Sequence, residues 1–146
     1  MAAYYPPVGF HFRIEFKVNG VTDNDAKFQE VTGLTAEIAT ETLAEGGENR
    51  YTHKLPVKAN YGNLILKRGM LTNSGLISWF KDAIENFSFE PAEVIVTLLN
   101  ENHEPLVAWS FVNAWPVKWM VSDLKAQDNS VVIETIELAY NYFRRL

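Results

Sequence analysis

The feature of this sequence that most constrains its fold is a strict alternation of apolar and polar residues near its beginning. Every second residue from Phe10 to Val18 is apolar, and the residues between them are polar or charged. A repeat of two places all apolar side chains on one face of a β-strand, so this segment is predicted to be a strand. Further strand-like segments follow along the chain: Phe28–Val31, Leu34–Leu43, Arg50–Leu55, Asn63–Arg68, Glu93–Leu99, Pro105–Asn113, Lys118–Val121 and Val131–Phe143.

One segment has the spacing of a helix, and it runs from about Ser74 to Asn86. Ser74 is a suitable N-cap residue. The apolar positions recur at helical spacing and predict one buried stripe, made of Leu76, Phe80, Ala83, Ile84 and Phe87. One helix against six or more strands predicts a mainly β or α+β fold. A length of 146 residues fits a single domain over residues 1–146.

The segment Thr35–Leu55 is predicted to form a long β-hairpin. One side of its first strand carries Ala36 and Ile38, and the opposite side carries Glu37 and Glu41. The acidic, glycine-containing sequence Glu45-Gly46-Gly47-Glu48-Asn49 interrupts the alternation and is expected to be the tip. Pro56 is predicted to end the hairpin, because proline cannot donate a backbone hydrogen bond.

Two of the predicted strands, Glu93–Leu99 and Val131–Phe143, have apolar residues on both faces. One small helix cannot cover both sides of a sheet of this size. Either a second sheet or a neighbouring subunit is therefore expected to cover the remaining apolar surface. Few prolines or lysines protect the strand edges, and this predicts self-association by edge pairing.

Composition argues against several classes of function. A net charge of −5 opposes general binding to nucleic acid or to anionic membranes, and the chain has no cysteine for thiol chemistry or disulfides. We expect no cleaved secretion signal at the N-terminus. The histidines His11, His53 and His103 are far apart, and neither a GxSxG motif nor a Walker phosphate loop is present. We therefore expect no catalytic, cofactor-binding or metal-binding residues.

An ordered set of segments resembles the inner tube proteins of contractile injection systems, which are themselves similar to the tail tube proteins of contractile phages. The resemblance covers the chain from Phe10 to Phe143. Its segments are GFHFRIEF, FQEVTGL, EGGENRYTHKLP, YGNLILKRG, SGLISWFKDAIENF, LLNENHEPLVAWSFVNAWPVKW and SDLKAQDNSVVIETIELAYNYF.

The resemblance implies a small β-sandwich or split barrel with one flanking helix, and it implies a structural protein and not an enzyme. Six copies would form a ring in which strands of neighbouring subunits join into one β-barrel around a lumen. The rings would stack into a tube inside a contractile sheath, with baseplate or tube-initiator proteins and a cap at its ends and cargo in its lumen. The particle would be assembled in the cytoplasm of the producing cell and act outside it.

The resemblance also implies which residues contact neighbouring subunits. The loop 44–56 matches the long hairpin loop of the family, which contacts the adjacent subunit and the next ring, and the N-terminal arm 1–9 is expected to pack on a neighbour as well. A free surface loop is the alternative. The implied interface residues are Tyr4, Tyr5, Glu45, Gly46, Gly47, Glu48, Asn49, Arg50, Tyr51 and Lys54.

We expect the polar side of the hairpin, with Glu37 and Glu41, to face the lumen together with Lys67 on a neighbouring strand. A polar wall of net negative charge would repel an acidic cargo, which suits a conduit. Two alternatives remain for the function as a whole. One is a tube protein of a contractile phage or of a type VI secretion system, and the other is a monomeric β-sandwich that binds a small apolar ligand.

Overall fold

The computed structural model describes residues 11–21, 28–43, 46–47, 53–71, 74–127 and 131–146, and within these ranges it contains strands and a single helix. In chain order the elements are β1 (Phe12–Phe16), β2 (Glu30–Thr32), β3 (Ala36–Leu43), β4 (His53–Tyr61), β5 (Leu64–Gly69), α1 (Gly75–Glu85), β6 (Ala92–Leu99), β7 (Pro105–Val121), β8 (Ile133–Ala139) and β9 (Tyr142–Arg145). The predicted mainly β fold with one helix is confirmed.

Seven strands form one antiparallel sheet, and β3 and β4 form a separate two-stranded sheet. The large sheet has the order β1-β6-β7-β8-β5-β2, with β9 as a further partner of β7. The long strand β7 joins two half-sheets. Its first part pairs with β6 and β9, which with β1 make the first half-sheet, and its second part pairs with β8, which with β5 and β2 makes the second.

The two half-sheets enclose one hydrophobic core. Ile14 and Val96 of the first half-sheet and Leu66 and Leu138 of the second belong to the same cluster of buried side chains. These residues occupy alternate positions of their strands, as the period of two predicted. On β6 the other face is covered too, since Thr97 is buried.

The helix α1 packs on this core, with bounds within one residue of the prediction. Leu76, Phe80 and Ala83 are buried as predicted, and Trp79, which the predicted stripe lacks, is buried with them. The predictions for Ile84 and Phe87 are wrong, because both side chains are exposed. Ile84 lies at the edge of the stripe, on the side away from Trp79, and Phe87 follows the last helical residue.

Two strand predictions need correction. The segments predicted as Pro105–Asn113 and Lys118–Val121 are one strand, β7, which continues through a register shift between Pro116 and Lys118. The segment Val131–Phe143 is not one strand but two, because the chain breaks between β8 and β9 and β9 pairs with the first part of β7. The proline in β7, Pro116, is tolerated because it lies at the register shift, where no ladder hydrogen bond is needed.

A buried ion pair joins β5 and β8 within the second half-sheet, and its arginine also contacts the start of the helix. Arg68 Nε donates to Glu134 Oε2 at 2.9 Å, and both side chains are almost completely buried. Arg68 Nη2 donates to Ser74 Oγ at 3.0 Å, and Trp119 Nε1 donates to Glu134 Oε1 at 2.6 Å. Ser74 is the N-cap residue of α1 but makes no side-chain cap hydrogen bond, since its hydroxyl serves this network.

Candidate functional site: an exposed hairpin

The hairpin β3–β4 is the part of the described chain with the least contact to the rest. None of its strand residues is buried, and only Ala39, His53 and Tyr61 are partly covered. Neither outer edge of the pair has a strand partner among the described residues. A two-stranded sheet is only marginally stable alone in water, so this hairpin lacks the cover that a stable sheet needs.

The two faces of the hairpin differ in chemistry. Paired residues share a face, so the pairings Ala36 with Tyr61 and Ile38 with Ala59 define an apolar face, which becomes polar toward the tip at the pair of Thr42 with Lys54. The pairings Glu37 with Asn60 and Ala39 with Lys58 define a polar face, to which Glu41 also belongs. The apolar face is open to solvent, since 63% of Ile38 is exposed.

Pro56 does not end the hairpin, because β4 continues through it to Tyr61. Ala39 pairs with Lys58 and Thr40 pairs with Pro56, so Val57 is an extra residue in a β-bulge. Proline is found at bulges and on edge strands, where its missing N–H costs no ladder hydrogen bond. The hairpin is consequently longer than predicted, with its root at Tyr61.

The root of the hairpin is held firmly against the large sheet. Gly33 has a φ of 93°, and a Cβ at this position would lie 1.9 Å from the carbonyl oxygen of Asn63, so no other residue fits without a backbone shift. Gly62 N donates to the carbonyl of Thr35, and Tyr140 Oη donates to the carbonyl of Gly62 at 2.6 Å. The hairpin therefore leaves the sheet from a fixed base.

The same contacts shift the acidity of Tyr140. Burial raises the pKa of its hydroxyl to about 12, and the neighbouring Tyr61 adds to the shift. The tyrosine therefore remains a hydrogen-bond donor to Gly62 at all ordinary pH values.

Among the described residues, the edge strands of the large sheet are β9, which pairs only with β7, and the two ends of its path, β1 and β2. The edges β1 and β2 approach each other across a groove lined by residues of both half-sheets. Its lining includes Phe12, Val31, Leu98 and Trp109. The sheet is thus curled but open, and its unpaired edges can accept strands from elsewhere.

The structure does not bring the three proposed lumen residues together in one strand pair. Glu37 and Glu41 lie on β3, whereas Lys67 lies on β5, whose neighbours are β2 and β8. The expectation that Lys67 lies on a strand next to the hairpin is therefore wrong within one subunit. Lys67 Nζ lies 3.4 Å from a carboxylate oxygen of Glu30 on β2, and both side chains are exposed.

Of the predicted interface residues, the structure describes Gly46, Gly47 and Lys54. The two glycines form an exposed turn at the tip, and Lys54 lies on β4 opposite Thr42. The remaining predicted interface residues lie outside the described residues: Tyr4, Tyr5, Glu45, Glu48, Asn49, Arg50 and Tyr51.

Within the described ranges, no group of three or more His, Asp or Glu side chains is arranged to hold a metal ion. In the same ranges, no helix has the length and apolar character required to cross a membrane. The groups that stand out are the uncovered hairpin and the free edges, and the chemistry available to them is hydrogen bonding and apolar contact.

Known proteins share this fold. A family model described as T4-like virus tail tube protein gp19 matches residues 8–144. A chain in the cryo-EM structure of the anti-feeding prophage (AFP) baseplate is 35% identical, with a TM-score of 0.89 over 97% of this chain and 95% of that chain. A chain in the extended PVC sheath-tube complex of an extracellular contractile injection system is 22% identical, with a TM-score of 0.83 over 99% and 94%. Hcp1 from Flavobacterium johnsoniae is 15% identical, with a TM-score of 0.56 over 92% and 93%. The search of curated proteins found no match.

Proposed function

The chain belongs to the family of the T4-like virus tail tube protein gp19, and from that premise we propose that it is the structural subunit of the inner tube of an extracellular contractile injection system. Six copies form a ring around a lumen, and the rings stack into a tube. The subunit is not an enzyme. Its role is to give the tube a rigid wall through which cargo is delivered when the sheath contracts.

The observation that carries this proposal is the uncovered hairpin β3–β4. Among the residues that the structure describes, both of its edges lack a strand partner, and its apolar face is exposed. A further copy supplies both missing elements, since its free strand edges can pair with the hairpin and its apolar surface can cover Ile38. A closed ring leaves no edge unpaired, which explains why the single chain does not protect them.

The tip of the hairpin supports the proposed contact between rings. Gly46 and Gly47 allow the tip to adapt to a neighbour, and Arg50 and Lys54 can pair with acidic residues across the junction. The N-terminal arm packs on a neighbouring subunit in the same proposal. The fixed root at Gly33 and Tyr140 supports this assignment, because it positions the hairpin for a contact beyond its own subunit.

Two polar surfaces are proposed to form the wall of the lumen: the hairpin face with Glu37 and Glu41, and the outer face of the second half-sheet with Lys67. The pairing of neighbouring subunits is proposed to bring these surfaces together, since they lie on separate sheets of one chain. The hairpin part of this wall carries more negative than positive charge. On the second half-sheet, Lys67 forms an ion pair with Glu30. Such a wall does not retain an acidic cargo.

The proposed partners are a contractile sheath, a cap and baseplate proteins, in a particle that is assembled in the producing cell and acts outside it. A chain that is 35% identical to this one comes from a baseplate structure, and this supports a baseplate as a partner at one end of the tube. Imaging of the particle with a label on this subunit tests its place in the tube. Labelled rings along the tube are expected, and a tube without label contradicts the proposal.

The assembly proposal is tested by Ile38→Lys, which places a charge on the apolar face of the hairpin. Electron microscopy and analytical ultracentrifugation of the purified chain are expected to show rings for the parent and only monomers for the variant. Leu124→Lys is the matched control, because Leu124 is 76% exposed on a loop away from the hairpin. If Ile38→Lys forms normal rings, the hairpin is not the contact between subunits. If the parent chain itself stays monomeric, the alternative of a β-sandwich that binds a ligand is favoured.

The lumen assignment is tested separately by Glu37→Lys combined with Glu41→Lys. We expect the variant to assemble normally but to load its cargo more slowly, because the charge of the wall is reversed. Unchanged loading in assembled particles contradicts the lumen assignment.

The neighbouring genes distinguish a phage tube from the tube of an injection system, since capsid genes indicate a phage and toxin genes indicate an injection system.

A further inference from the structure

We propose that an aromatic corner at one end of the first half-sheet binds the end of β9 of a second copy of this chain. The aromatic corner consists of Phe87, Phe89 and Trp115, and its occupant is the segment Arg144–Leu146 at the end of β9. This inference rests on the proposed self-assembly and adds a head-to-tail contact separate from the hairpin.

Phe87 has a backbone conformation that glycine normally adopts. Its φ is 50°, just after the end of α1, where Ser88 N donates to the carbonyl of Asp82 at 2.9 Å. A bulky residue in the left-handed region is strained, and helices commonly end there with glycine. The strain is not compensated by burial in this chain, because 81% of Phe87 is exposed.

The three aromatic rings form one continuous surface. The centroids of Phe87 and Phe89 are 4.8 Å apart, and those of Phe89 and Trp115 are 5.4 Å apart, in each case edge to face. Trp115 belongs to β7 and is partly buried, so it fixes the surface to the sheet. Exposed aromatic side chains on a rigid base are typical anchors of protein interfaces.

The surroundings of the aromatic corner are acidic. Asp82, Glu85 and Glu90 are exposed on the same stretch of chain. The C-terminal end of a helix adds partial negative charge, and α1 has no basic residue in its last turn. Lys81 Nζ lies 4.0 Å from Glu85, at the limit of an ion pair. The chemistry of this surface therefore fits a cationic partner that also offers apolar area.

The end of β9 has the complementary chemistry. Arg144 and Arg145 are exposed, and Leu146 is 66% exposed. Leu146 N donates to the carbonyl of Ala108 at 2.8 Å, so the segment is held in extended form at the edge of β7. Guanidinium groups stack on aromatic rings and pair with carboxylates, and a leucine side chain can fill the space between them.

The two surfaces lie far apart along β7. Arg145 pairs with Trp109, and Leu146 N donates to the carbonyl of Ala108. Ala92 pairs with Ala114, two residues after Glu90 in the chain and next to Trp115. From Trp109 to Trp115 along β7 is about 20 Å. The surfaces therefore cannot meet within one copy, and contact between copies is head to tail. Such a contact closes a ring or extends a polymer; since the hairpin is proposed to close the ring, we assign this second contact to the stacking of rings.

Phe87→Gly separates a docking role from a structural one. Glycine relieves the strained φ, so the isolated chain is expected to unfold at an equal or higher temperature. Loss of the anchor is expected to raise the concentration for half-maximal ring stacking at least about tenfold. Asn113→Gly is the matched control, because Asn113 also has a positive φ, of 54°, and is not one of the three aromatics. The control should stack like the parent.

Charge reversal tests the proposed occupant. Glu85→Lys with Glu90→Lys, and Arg144→Glu with Arg145→Glu, are each expected to abolish stacking, and the chain that carries all four changes is expected to restore it. Sedimentation and electron microscopy measure the extent of ring stacking in each variant. Lys125→Glu, on an exposed loop, is the control for a change of charge alone.

The outcomes distinguish this contact from the proposed function. The head-to-tail contact is overturned if Phe87→Gly stacks normally or if the fourfold variant does not recover stacking. The tube proposal still stands in that case, provided that the parent chain forms rings. Normal tubes that fail only to bind a sheath also overturn it, because the aromatic corner then faces another protein. If the parent chain forms no rings under any condition, both the tube proposal and the head-to-tail contact are overturned.

Discussion

The hairpin β3–β4 and the second half-sheet are made of similar alternating strands, but only the second is completed within the chain. Leu64, Leu66 and Leu138 of the half-sheet are fully buried, whereas Ile38, Leu55 and Val57 of the hairpin are exposed. The alternation of residues therefore does not decide burial by itself. What decides it is whether another layer of the same chain lies over the strand.

This difference separates stability from assembly. Changes in the second half-sheet should lower the free energy of unfolding of the single chain. Changes of exposed side chains on the hairpin strands should leave it nearly unaltered and act on the association of copies.

The largest loss of stability is expected for Arg68→Met. Removing one partner of a buried ion pair leaves Glu134 charged and uncompensated, at a cost of about 3–5 kcal/mol. Chemical denaturation of the single chain measures it. Glu134→Leu added to Arg68→Met should recover most of the loss, since two apolar groups can replace the pair. No loss in the single variant would show that the network does not support the half-sheet.

The same chemical change in the two regions should give different results. Leu66→Ala removes a fully buried side chain and is expected to cost about 2–5 kcal/mol. Leu55→Ala, on the exposed hairpin, is expected to change the unfolding free energy of the single chain by no more than about 0.5 kcal/mol. Equal losses in the two variants would mean that the hairpin is packed within its own subunit.

Glycine substitutions compare the root of the hairpin with its tip. Gly33 and Gly47 both have a φ near 90°, but a Cβ on Gly33 meets the carbonyl of Asn63 and one on Gly47 meets nothing within 4 Å. Gly47→Ala should cost about 1–2 kcal/mol from backbone strain. Gly33→Ala should cost about 1–3 kcal/mol more from overpacking. Equal melting temperatures would contradict a fixed root.

The smallest effect is expected at alkaline pH. The pKa of Tyr140 is about 12 in the folded chain and 10.0 ordinarily, so the folded state keeps its proton when the unfolded state has lost it. The stabilisation is complete below pH 10 and is lost as the pH rises toward 12. Tyr140→Phe should flatten this part of the stability profile, and an unchanged slope would exclude Tyr140 as its cause.

The sequence predicted those elements whose pattern is local. The alternation at Phe12–Phe16 and the helical spacing around Leu76 and Phe80 were sufficient to identify β1 and α1. The exposure of Ile84 was not predictable in the same way, because the width of a buried stripe depends on what packs against the helix. Trp79 shows the reverse case, since its burial follows from the neighbouring sheet and from its hydrogen bond to the carbonyl of Glu90.

The strand ends were harder to predict than the strands. Pro56 was predicted to end the hairpin, and the two strands predicted on either side of Pro116 were separate, but both prolines lie at bulges in continuous strands, where no N–H donor is needed. The division between β8 and β9 depends on the pairing of β9 with β7, which is not encoded in the local alternation. For the same reason the sequence placed Lys67 beside the hairpin, although its strand neighbours are β2 and β8.

Amide hydrogen exchange in the free subunit and in the assembled tube tests most directly whether the hairpin is completed by another copy. We expect the amides of β3 and β4 to exchange far faster than those of β5 and β8 in the free subunit, and to become comparably slow in the tube. Hairpin amides that are already as slow in the free subunit, or that remain fast in the tube, would contradict this account.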